Sequence, residues 1–220
     1  MQDFLEFMLF STLEAVAIFV LLLKLFRFDL KYLVGRSIFA GVNVTVLSWA
    51  LRNNVLPPNV VPVVILVAII LFLTYVFEIQ LFYAAIMGAT GYIFFMTLQV
   101  ISFITMDALG WISPANIAPT SADGFILQTG TVVLTIAVAT ALHLFRVGFT
   151  FIPDGSTRYK NSGVGKVLLI TAALAIVSVF AIFSIYSLGA NLYIIFVLFI
   201  VILIPMIIIQ MKREREGYHN

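Results

Sequence analysis

Residues 192–211 read LYIIFVLFIVILIPMIIIQM, and residues 212–216 continue as KRERE. Twenty residues without a charge match the roughly 20 that an α-helix needs to cross a hydrocarbon core. The cations that follow mark a cytoplasmic end, because loops on that side are enriched in Lys and Arg. Six comparable apolar runs precede this one, at 4–26, 33–51, 60–77, 81–106, 124–145 and 164–188. The chain therefore reads as one all-α transmembrane domain over 1–220, an integral membrane bundle of about seven helices.

The breaks between runs carry turn chemistry: Asn53-Asn54 with Pro57-Pro58, Pro114 and Pro119, Asp154-Gly155-Ser156, and Gly189-Ala190-Asn191. The third break, Glu78-Ile79-Gln80, is the shortest. Charge tests the count. With the N-terminus outside, eleven of the twelve Lys and Arg residues fall inside: Lys24, Arg27, Lys31, Arg36, Arg146, Arg158, Lys160, Lys166, Lys212, Arg213 and Arg215. Only Arg52 falls outside. A six-span reading would put basic loops outside, so seven spans with a cytoplasmic C-terminus are expected.

Composition argues against a soluble domain, and a multi-pass protein of the cell membrane is expected. Of 220 residues, 63% are hydrophobic and 10% charged, against about a quarter charged in soluble domains. A net charge of +2 implies no nucleic-acid partner, and the absence of cysteine removes disulfides and thiolate chemistry. Met1-Gln2-Asp3 lacks the basic start of a signal peptide, so the first run is expected to remain as a span. The link at 146–165 mixes Phe149, Phe151 and Tyr159 with Arg158 and Lys160, and is expected to lie along the lipid headgroups.

Glu14 is the most informative residue, lying mid-span in Ser11-Thr12-Leu13-Glu14-Ala15. Ionisable groups at that depth face a cavity or a partner. One reading makes it a ligand-facing or coupling carboxylate; the other bonds it to a neighbouring helix through Asn43, Thr45 or Gln99. Arg52 either meets an anionic ligand group or Glu14, or snorkels to the headgroups. Asn43, Gln99 and Gln128 carry amides at membrane depth, where interhelical hydrogen bonds contribute on the order of 1 kcal/mol. Glu14, Asn43, Arg52 and Gln99 are the candidate ligand-binding set. The small residues Thr131, Thr135 and Ala139, and likewise Ala84 and Gly88, recur every four positions and predict close helix packing. Pro205 predicts a tolerated kink in the last span.

Enzyme signatures fail. Gly163-Val164-Gly165-Lys166 resembles the end of a phosphate-binding loop, but Lys160 stands where the first Gly belongs and Val167 where Ser or Thr is required. His143 and His219 are far apart with no cysteine partners, so no metal is expected. Asn43-Val44-Thr45 matches a glycosylation sequon inside a span. No catalytic residue and no cofactor are expected.

Over the first hundred residues the pattern resembles the membrane sensor region of AgrC-like peptide-sensing histidine kinases of Gram-positive bacteria. The likeness is carried by Ser11-Thr12-Leu13-Glu14-Ala15, the run to Lys24-Leu25-Phe26-Arg27, Leu51-Arg52, and Phe77-Glu78-Ile79-Gln80-Leu81-Phe82-Tyr83. The resemblance implies quorum sensing, with a bundle of six or seven helices binding a small extracellular signal, often a peptide. The sequence departs from those kinases after Lys212-Arg213-Glu214-Arg215-Glu216, where four residues remain. A sensor region without its kinase domain is therefore expected. The leading expectation is a non-enzymatic receptor or regulator that takes a peptide or small hydrophobic ligand into a pocket open to the outer face and lined by the first, second and fourth helices. It would act through a protein partner or homo-oligomer. A small transporter with Glu14 as coupling carboxylate, and a membrane scaffold, are the alternatives.

Overall fold

Capping decides where the helices of this chain stop. A computed structural model describes residues 2–52, 56–57, 59–118, 120–152, 163–187 and 191–217. Asn53, Asn54, Pro58, Pro119, residues 154–156, Arg158, Tyr159, Lys160, Gly189, Ala190 and His219 lie outside the described residues, as do the side chains of Gly163 to Val167. Among the described residues there are seven α-helices: α1 Gln2–Leu25, α2 Val34–Arg52, α3 Val61–Tyr75, α4 Leu81–Ala108, α5 Ala122–Leu144, α6 Gly163–Ser187 and α7 Leu192–Gly217. No strand occurs among the described residues. Among the described residues, five helices (α1, α2, α4, α5 and α7) are long and apolar enough to cross a membrane.

The third helix is shorter than its apolar run. It spans 15 residues rather than 18, because Pro62 sits in its first turn and the chain leaves the helix after Tyr75. There Phe77 N–H bonds to Phe72 O and Ile79 N–H to Leu73 O, with Glu78 at φ 60°. Arg27 (φ 58°) and Arg146 (φ 52°) close α1 and α5 in the same left-handed way. The N–H groups of Phe28 and Val147 reach back to Leu23 O and Leu142 O, satisfying carbonyls that a helix end leaves orphaned.

Around α4 stand the other helices. It packs against α1, α3, α5, α6 and α7, while α2 bridges α1 and α3. Its most apolar 18-residue window is 72% buried, against 22% for those of α5 and α7. The difference follows from side-chain size. Ala84, Gly88, Ala89 and Gly91 let neighbours approach α4 closely, and a Cβ on Gly88 would lie 2.7 Å from Ile70 of α3. Gly41 does the same for α1 and α2, since a Cβ there would meet Val16 Cγ2 at 2.7 Å and its backbone N at 3.2 Å. On α5 the row Thr131, Thr135, Ala139 is fully buried, and α1 is the most extensive partner of that helix. Packing of this kind, together with polar bonds, holds helices together where lipid supplies no hydrophobic drive.

Polar contacts sort the molecule into two ends. At one end Lys24 meets His143 at 3.4 Å, Arg27 donates to Arg146 O, and Arg36 pairs with Glu78 at 3.1 Å. At the other end lie Arg52, Asn59 bonded to Ser184, and the aromatic contacts of Phe4 and Phe7 with Trp49 and of Phe10 with Phe125.

The link after α5 corrects an expectation. Its first residues pack against the end of α1 instead of standing clear of the bundle. Phe149 is buried, its N–H donates to Leu25 O at 2.9 Å, and its ring packs on Phe26 and Phe151. The reason is the open end of α1: the link supplies a donor to its last carbonyl and buries the Phe149 ring against Phe26 in doing so. Gly148 makes the approach possible, with φ 149° and a Cβ position only 2.6 Å from Leu25 O.

Candidate functional site

Each of three helices contributes a stripe at helical spacing to one cavity. From α1 come Ser11, Glu14 and Ile18, from α2 Thr45, Ser48 and Arg52, and from α4 Tyr92, Met96 and Gln99. Residues three, four and seven apart share a helix face, so each stripe points one way. The helices α3 and α5 close the sides with Ile65, Leu127 and Gln128, and Ile117 and Ala118 cover part of the mouth. The volume is about 420 Å³.

At its centre Gln99 Nε2 donates to Glu14 Oε1 at 2.9 Å, linking α4 to α1. A carboxyl group at this depth requires such partners, because an unsatisfied one costs several kcal/mol (on the order of 2–7) in an apolar medium. One Glu14 oxygen is thereby occupied. The second, and the Gln99 carbonyl oxygen, remain as acceptors toward the cavity, and Gln128 Oε1 is buried with no hydrogen-bond partner. Arg52 is exposed at the mouth, where its Nε–H donates to Ser48 Oγ at 3.2 Å. It forms no ion pair with Glu14. The arrangement is a cation at the rim, a carboxyl with spare acceptors below, and the ring of Tyr92 buried in the wall.

Of the four candidate residues, Glu14, Arg52 and Gln99 come together and Asn43 does not. Asn43 is exposed on the outer face of α2, and its Nδ2 donates to Phe39 O of its own helix at 2.7 Å. Its amide is satisfied without a neighbour, as are Thr45, Thr90, Thr97 and Thr131, whose hydroxyls bond the carbonyl four residues back. Hydroxyl back-bonding is how a helix carries polar residues in lipid.

Some of the site escaped the sequence reading. Ser11, Ser48 and Tyr92 are not among the candidate residues that the sequence singles out, although each lies three or seven residues from one that is. Nothing in the sequence announces a second polar link, in which Gln210 of α7 donates to Thr90 Oγ1 of α4 with both residues fully buried. Nor does it announce that Glu214 accepts from Thr150 N–H at 2.8 Å, from Phe151 N–H at 3.1 Å and from the Thr150 hydroxyl. That carboxylate ties the end of α7 to the link that caps α1.

Beyond the fold, similarity offers no guide: the chain matches no protein-family profile, no curated protein and no solved structure.

Proposed function

We propose that this protein is a non-enzymatic, multi-pass cell-membrane receptor or regulator that takes a small hydrophobic or peptide ligand into the cavity at Glu14. The observation that carries the reading is the Glu14–Gln99 pair in a cavity of about 420 Å³ that opens at the Arg52 end of the bundle. The positive-inside rule puts that end outside the cell, since Lys24, Arg27, Lys31, Arg36 and Arg146 all lie toward the other. Ligand would therefore arrive from outside, as it does in the AgrC-like sensors that the first hundred residues resemble.

Sensing is favoured over transport by what lies beneath the cavity. Past Ile18 and Ile65, the interior is filled by Phe19, Leu22, Leu66, Ile69 and Leu73, all fully buried. Those side chains offer a moving solute no polar path. Signal would leave instead through the ends of α1, α5 and α7, joined by the Leu25–Phe149 and Thr150–Glu214 bonds. A small displacement of α1 at Glu14 is then felt at Glu214, where a protein partner or a second copy can read it.

A thermal-shift screen of the purified protein against short hydrophobic peptides and amphiphiles tests this reading. Ligands that stabilise the wild type but not Glu14→Gln support it. A solute flux into proteoliposomes that Glu14→Gln abolishes would replace it with the transporter reading.

A further inference from the structure

A second cavity of about 270 Å³ adjoins the first. The two share Met96, Gln99, Ile117, Leu127 and Phe183 as a common wall. Beyond that wall the lining is apolar: Val100 and Phe103 of α4, Ile182 of α6, and Leu192, Ile195 and Phe199 of α7. Its volume is nearly twice the ~150 Å³ of an apolar protein cavity that stays dry and binds benzene. The place in the bundle matters as much as the size. Of the helices around α4, neighbours α1 and α5, α1 and α2, α2 and α3, α3 and α6, and α6 and α7 all pack on one another, while α5 and α7 share no comparable interface among the described residues. The apolar cavity lies at that seam, with Leu127 on one side and Ile195 and Phe199 on the other. An apolar chain can therefore reach it sideways from the bilayer.

We propose that the ligand is a single-chain amphiphile with an amine-bearing head, its head at Glu14 and its chain in the α5–α7 cavity. This rests on the cavity at Glu14 being the ligand site. The head chemistry follows from the deep atoms that await a partner. They are the second Glu14 oxygen, the Gln99 carbonyl oxygen and the unpartnered Gln128 Oε1, all acceptors. Such a set selects N–H donors, and a positive one most strongly. The chain chemistry follows from the second cavity, which offers carbon to carbon and would leave a polar group unpaired. Gln99 stands in both cavities, so head and chain would meet beside it. Met96, also in the shared wall, has an unbranched side chain that can move aside.

The test uses decylamine carrying a diazirine at the far end of its chain, added to the protein in nanodiscs and photolysed. Adducts are expected on Val100, Ile195 or Phe199. Glu14→Gln should reduce that labelling at least tenfold, and the matching decyl methyl ether should not give it. Adducts confined to the exposed outer-surface residues Val133, Val197 and Val201, or labelling indifferent to Glu14→Gln, would overturn the inference. Butylamine separates this failure from that of the underlying reading, through protection of a cysteine placed at Ser48. If butylamine protects Ser48→Cys but the long probe never reaches Val100 or Phe199, the chain site falls and the head site stands. If neither probe engages, both fall.

Discussion

Gln99 and Glu14 meet at 2.9 Å across the α1–α4 interface, the carboxamide of the central helix donating to the carboxyl of the first. One bond thus serves two ends. It satisfies a carboxyl that lipid cannot solvate, and it holds that carboxyl with an oxygen to spare toward the cavity.

Replacement of Glu14 separates these roles. Glu14→Gln retains size and an acceptor oxygen for Gln99, so the melting temperature in detergent should stay close to that of the wild type. Glu14→Leu leaves the Gln99 amide without its partner and should cost about 1–3 kcal/mol. Ligand stabilisation should be lost in both. A Glu14→Gln protein that unfolds as readily as Glu14→Leu would make the carboxyl a packing element alone.

Asn43 supplies the contrast. Its amide is spent on Phe39 O and its face of α2 is exposed. Asn43→Leu is therefore expected to shift stability by no more than about 0.5 kcal/mol and to leave ligand stabilisation intact. A lost ligand response in this variant would place the site on the wrong face of α2.

Close approach of α1 and α2 depends on Gly41, whose missing Cβ leaves room for Val16. Gly41→Val should destabilise by about 1–3 kcal/mol, the usual cost of overpacking, read as a lower melting temperature. An unchanged melting temperature would mean that these helices part freely.

At the opposite end, Glu214→Ala removes the acceptor for the Thr150 and Phe151 amides. Hydrogen exchange at those two amides should quicken while exchange around Gln99 stays as it was. Unaltered exchange at Thr150 and Phe151 would remove α7 from the proposed signal path.

Much of this fold was legible because lipid imposes few solutions. Apolar runs of span length and punctuating turn residues located seven helices among the described residues, and Lys24, Arg27, Arg36 and Arg146 do gather toward one end of the bundle. Glu14 and Gln99 stood out because a carboxyl and a carboxamide at that depth must find partners. Their meeting could not be read, since 85 positions separate them and no local pattern encodes which faces of α1 and α4 touch. Asn43 misled for a physical reason. An amide in lipid need not cross to another helix when its own carbonyl four residues back is in reach. The α3 boundary and the burial of Phe149 were missed because both depend on how a helix end is closed, and that closure is made by backbone groups common to every sequence.

Access to the cavity from outside the cell is the most direct test. The protein has no cysteine, so a single one placed at Ser48 reports alone. A small, charged, membrane-impermeant methanethiosulfonate applied to whole cells should modify Ser48→Cys, as it should a cysteine at exposed Trp111, while a cysteine at Lys31 stays unreactive. Modification at Ser48 should also abolish ligand stabilisation, because the adduct fills the space beside Glu14 and Arg52. A cysteine at Ser48 that reacts only when reagent is admitted to the cytoplasmic side, or whose modification leaves ligand stabilisation untouched, would contradict an outward-facing ligand site at Glu14.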